Sequence, residues 1–77
     1  METMEKIRLV GEMIESSGGA ISSLGELHRL NIELIRDDGA VEDDPYYDLC
    51  DEQYKAITAV ISYAESLLEN AIKFRKL

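Results

Sequence analysis

From Tyr46 to Lys76 the chain contains neither glycine nor proline, so nothing in that stretch interrupts a helix. Ile57, Val60, Ala64, Leu67, Ala71 and Phe74 follow alternating steps of three and four, the pattern of one helical face. Asp44 followed by Pro45 suits a helix start: an Asp side chain caps free amides, and a first-turn proline loses no hydrogen bond. Lys73, Arg75 and Lys76 suit the negative end of the helix dipole. The spacing predicts a helix over about 45–76, a rod of roughly 45 Å at 1.5 Å per residue.

The N-terminal half sends two opposed signals. Ser16, Ser17, Gly18 and Gly19 read as a stop, and Ser23 with Glu26 fits a capping box for a new start. Yet Ile7, Ile14, Ile21, His28 and Ile35 are spaced by sevens straight through that point, with Met13, Ala20, Leu27 and Leu34 in a second such row. A loop has no reason to insert whole heptads, so one long helix over about 3–36 is favoured, with a kink or break at Gly18 and Gly19 as the alternative. Its cost is glycine: Gly11, Gly18, Gly19 and Gly25 each forfeit about 1 kcal/mol relative to Ala, to be recovered by packing. Gly11, Gly18 and Gly25 also recur every seven residues, which would let another helix approach closely.

Two helices of matched length joined by a short connector over 37–44 define an all-α fold, an antiparallel helical hairpin in a single domain, residues 1–77. Pairing outward from the turn sets Ile35 near Tyr47, His28 near Tyr54, Ile21 near Ile61, Ile14 near Leu68 and Ile7 near Arg75. Two helices cannot cover apolar stripes this wide, and a chain of 77 residues gains little from a core of its own. A two-fold homodimer forming a four-helix bundle is therefore expected. Ile14, Ile21, Leu24, His28, Ile57, Ile61 and Leu68 are its candidate core and dimer residues. Asn31 falls near the inner stripe, where a buried amide would fix helix register or dimer pairing.

The formal charge of −8 resides in one segment from Asp37 to Glu52, which holds eight acids and no base, whereas the rest of the chain balances eight acids with eight bases. Asp44, Asp48 and Glu52 are four residues apart and form a carboxylate stripe on a helix, with Asp51 beside them. Like charges at that spacing cost a few tenths of a kcal/mol per pair. Asp37, Asp38, Glu42 and Asp43 add a second cluster at the connector. Such a surface would attract a basic protein face, including a nucleic-acid-binding one, and repel nucleic acid itself. Tyr46 and Tyr47 would supply anchoring area within it. The competing reading is a merely solvated acidic turn.

Catalytic chemistry finds no constellation. His28, the single histidine, lies in the isoleucine row with no neighbouring nucleophile, and reads as a core or interface residue with a polar partner such as Tyr54. There is no Glu-x-x-His pair for a di-iron site, no Cys or His cluster for zinc, and no phosphate loop. A calcium loop with Gly39 at its sixth position would need ligands from Leu34 and Pro45, which have no side-chain oxygen. No cofactor or metal is expected. The single cysteine, Cys50, cannot form an internal disulfide, and apolar runs are far short of a membrane span; a cytoplasmic, non-enzymatic protein is expected.

In general plan, a short chain forming a dimerising helical hairpin, the sequence resembles the small plasmid RNA-binding regulators of the Rop type. That likeness covers fold class only, because the RNA-binding face of such proteins is basic and this one is acidic. Small acidic helical proteins of phages and mobile elements that block host nucleic-acid machinery are similar in size, charge and lack of catalytic residues. The function expected is that of a small protein-binding regulator or inhibitor with an acidic recognition surface; the alternative is a structural dimerisation module.

Overall fold

A computed structural model of the chain contains two helices, α1 over Glu2–Arg36 and α2 over Asp44–Arg75, packed against each other along their lengths. The structure describes residues 2–36 and 44–77, and of Asp44, Pro45 and Tyr46 the backbone alone. The predicted connector, including Asp37, Asp38, Glu42 and Asp43, lies largely outside the described residues; Asp44, assigned to it from sequence, is already helical.

α1 runs through Gly18 and Gly19 without a break, as the uninterrupted sevenfold spacing predicts. The Ser17 hydroxyl donates back to the Met13 carbonyl at 2.8 Å, as Thr58 does to Tyr54 in α2 at 2.9 Å, so each hydroxyl is satisfied within its own helix. At Gly19 the absence of a Cβ is used directly, because one placed there would overlap the ring of Tyr63. The conformational cost of that glycine is thereby offset by helix-to-helix contact.

The pair is a rod of 59 × 14 × 14 Å. Its radius of gyration is 17.4 Å, whereas a compact chain of this length would measure about 11.5 Å. The seam follows alternating steps of four and three on both helices: Leu9, Met13, Ser16, Ala20, Ser23, Leu27, Leu30 and Leu34 on α1; Leu49, Gln53, Ala56, Val60, Tyr63, Leu67, Asn70 and Phe74 on α2. Leu9 and Leu30 are each 1% exposed, and Ala56 is the only other buried apolar residue in the described part. Ser16 and Asn70 are buried with them. The Ser16 hydroxyl donates to Ser66 Oγ at 3.2 Å across the seam, and Gln53 Nε2 donates to Asn31 Oδ1 at 2.6 Å. Asn31 thus bonds across to the facing helix. Among the described residues no buried side-chain nitrogen or oxygen lacks a partner.

These contacts fix the alignment. Ser16 meets Ser66, Gly19 meets Tyr63 and Asn31 meets Gln53, so the numbers of facing residues add to 82 or 84. This is the register predicted by pairing outward from the turn. The face is different. The row Ile7, Ile14, Ile21, His28 and Ile35 points away from the seam, with Ile14 67% and Ile21 69% exposed. Ile57, Ala64 and Ala71 of the predicted α2 stripe are exposed too, while Val60, Leu67 and Phe74 lie on the seam. As the hairpin's own core, Ile14, Ile21, Leu24, His28, Ile57, Ile61 and Leu68 are excluded, because the smaller and more polar rows beside them pack the two helices together.

Candidate interaction surfaces

Rotating outward from the seam in one direction, every position is charged or small. In α1 these are Glu5, Arg8, Glu12, Glu15, Gly19, Ser22, Glu26, Arg29, Glu33 and Arg36; in α2 they are Asp48, Glu52, Lys55, Ala59, Ser62, Ser66, Glu69 and Lys73. All six ion pairs of the described residues lie here. Arg8 is bonded to both Glu5, at 2.6 Å, and Glu12, at 2.9 Å; Arg29 is bonded to both Glu26 and, at 2.6 Å, Glu33. Lys55 lies 3.7 Å from Glu52 and Lys73 lies 3.3 Å from Glu69. The hydrogen bond from Arg8 lowers the pKa of Glu5, and the same contact raises that of Arg8; Glu26 likewise raises that of Arg29. All are exposed pairs three or four residues apart on one helix, which favour helicity modestly and add little else.

Rotating the other way from the seam, the surface is apolar. Ile7, Val10, Ile14, Ile21, Leu24 and Ile35 of α1 lie on it with Tyr47, Tyr54, Ile57, Ile61 and Leu68 of α2, all exposed. The antiparallel pair is related by a two-fold normal to the plane of the helices, so corresponding flanks of α1 and α2 share one side of the rod. One side is therefore mainly apolar, with Ser17, His28 and Asn31 among its residues, and the other is ion-paired. Eleven large apolar side chains thus lie exposed along one side of a 59 Å rod, and exposed apolar surface concentrated in this way marks an interaction site. Near the chain termini it is indented by a hollow of about 440 Å³, lined by Lys6, Ile7, Val10, Gly11, Ile14 and Phe74. Gly11, Gly18 and Gly25 lie along its outer margin with open space where a Cβ would project.

The predicted dimer residues Ile14, Ile21, Leu24, His28, Ile57, Ile61 and Leu68 are all brought together on this apolar side. His28 is exposed, and Tyr54, its expected polar partner, is 72% exposed, so neither is a core group. Of the predicted acidic surface, Asp48 and Glu52 sit on the charged flank and Asp51 on the outward ridge, all exposed. Tyr47 is exposed on the apolar side. Asp37, Asp38, Glu42 and Asp43, with the side chains of Asp44 and Tyr46, lie outside the described residues.

Sequence reasoning missed the polar members of the seam: Ser16, Ser23, Gln53 and Asn70. Their signal was the second set of three-and-four steps, which coincides with the inner flank of the Arg8 and Arg29 ion-pair ladders. Among the described residues no group of three or more His, Cys, Asp or Glu side chains is placed to hold a metal ion, and no helix is long and apolar enough to cross a membrane. Comparison with known protein families, with curated proteins and with solved structures gives no match for the chain.

Proposed function

We propose that this chain is an assembly module, a helical hairpin that completes its core by pairing with a second copy in a four-helix bundle. The observation that carries this reading is the segregation of the rod into one apolar and one ion-paired side. Three buried apolar residues make a thin core for the described hairpin, whereas eleven large apolar side chains lie exposed on the open side, which a second copy would cover. Ile21 and Ile61, at mid-length, would sit at its centre. The role is binding and organisation rather than catalysis. Light scattering or sedimentation at micromolar concentration should give twice the 8.7 kDa chain mass. Ile61→Asp or Leu68→Asp should return it to one chain, while Glu15→Lys on the charged flank should not. A single-chain mass for the unmodified protein would refute the module.

A second reading is favoured by the position of the carboxylates. Asp48 and Glu52 face away from the apolar side, so a dimer formed through that side leaves them open to a basic protein surface, including one that binds nucleic acid. We infer that this acidic end recognises such a partner, with Tyr47 at its border. Replacing Asp48, Asp51 and Glu52 by Lys should abolish capture of a basic partner from host lysate while the dimer mass is kept. Retention of that partner by the triple variant, at low and high salt alike, would refute the role of the stripe.

A further inference from the structure

The two ends of the rod differ in charge, and this difference selects how two copies lie on one another. At the end where α1 finishes and α2 begins, residues 30–36 and 44–52 hold Glu33, Asp44, Asp48, Asp51 and Glu52 against Arg36, a balance of −4. At the opposite end, residues 1–12 and 70–77 hold Lys6, Arg8, Lys73, Arg75 and Lys76 against Glu2, Glu5 and Glu12, a balance of +2. Two copies laid in the same sense bring −4 against −4. Two copies laid in opposite senses bring each −4 end against a +2 end.

We infer that the apolar face is covered by a second copy of the chain lying in the opposite sense, its acidic turn end over the first copy's basic end. This rests on the dimer reading above and adds its orientation. Shape agrees with charge. With Ile21 and Ile61 at the centre, reversal places the hollow beside Val10 and Gly11 opposite the stretch of the second copy that carries Ile32, Ile35, Tyr47 and Cys50. Those side chains are large enough to enter an open depression of about 440 Å³ whose lining lacks a Cβ at Gly11. Same-sense pairing would instead place two such hollows over each other and leave both unfilled. Charge complementarity of this kind suppresses the wrong arrangement as much as it favours the right one.

The native thiol reports the orientation. Cys50 is a free, half-buried cysteine on the apolar side of α2. In a reversed dimer the two Cys50 residues lie 22 residues apart along the rod, about 33 Å at 1.5 Å per residue, and Cys50 of one copy lies level with Val10 and Ala71 of the other. Within one hairpin Val10 and Cys50 are separated by that same 33 Å or so, so a disulfide between them can only join two chains. Val10→Cys and Ala71→Cys, each retaining Cys50, are oxidised alongside the unmodified protein, and the mass is read without reductant. The expected result is a covalent product of twice 8.7 kDa in at least one variant and none in the unmodified protein. A Cys50 to Cys50 product from the unmodified protein overturns the reversed packing, as does a dimer mass in solution with no covalent product from either variant. A single-chain mass before oxidation overturns the dimer itself, so failure of the orientation and failure of the assembly are told apart.

Discussion

Gly19 of α1 lies directly beneath the ring of Tyr63 of α2, leaving no room for a methyl group, while its neighbour Gly18 faces open space. Two adjacent glycines in one helix are thus held to different standards. Gly18→Ala should stabilise the fold by about 1 kcal/mol through helix propensity alone. Gly19→Ala gains the same term but forces the Tyr63 ring aside, an overpacking cost of about 1–3 kcal/mol. Thermal unfolding of the two variants should move in opposite directions, and Tyr63→Ala should allow Gly19→Ala to stabilise in turn.

Leu30, at 1% exposure, and Ile14, at 67%, separate the seam from the open face. Leu30→Ala should cost about 2–5 kcal/mol of unfolding free energy at any protein concentration. Ile14→Ala should change the stability of the dilute hairpin by less than about 0.5 kcal/mol and show its effect only in the dimer dissociation constant. Denaturant unfolding at two concentrations, with sedimentation equilibrium, checks both.

The Gln53 to Asn31 hydrogen bond sets register at a position where leucines would pack as well. Gln53→Leu alone should cost about 1–3 kcal/mol, because it strands the half-buried amide oxygen of Asn31. Replacing both by Leu should be near neutral in stability yet broaden the amide resonances in an NMR spectrum, as neighbouring registers become accessible.

Glu5 is held below its ordinary pKa by the hydrogen bond from Arg8. A carboxyl whose folded pKa is depressed contributes stability above its unfolded pKa and loses it as pH falls through the folded one. Side-chain carbon shifts followed by NMR against pH should therefore show Glu5 titrating at lower pH than in the Arg8→Ala variant. Both groups are exposed, so the accompanying change in melting temperature should be slight.

Helix number, helix extent and register were legible because each rests on a local or additive signal: no breaker after Tyr46, a sevenfold spacing that survives Gly18, and matched lengths either side of an acidic connector. Which apolar row turns inward was not. Ile14 and Leu9 both belong to rows that repeat every seven residues, and periodicity cannot rank two rows of equal period. Hydrophobicity ranked them wrongly, because the inner row of α1 contains Ser16 and Ser23 while the outer row contains four isoleucines. The ion-pair ladders around Arg8 and Arg29 would have decided it, since they mark one flank as solvated and leave the seam between that flank and the isoleucines. The acidic stripe was located as residues but not as a direction; only the pairing of the helices shows Asp48 and Glu52 on the side away from the apolar face.

If a second copy covers the apolar side as proposed, dilution becomes a destabilising condition for this protein. The part of its folding free energy that comes from the neighbour then depends on concentration, while the part that comes from the seam does not. Each tenfold dilution below the dimer dissociation constant removes about 1.4 kcal/mol from every associated pair. Its melting temperature is then a property of the solution as much as of the chain, and a cell could set the amount of folded protein simply by how much it makes.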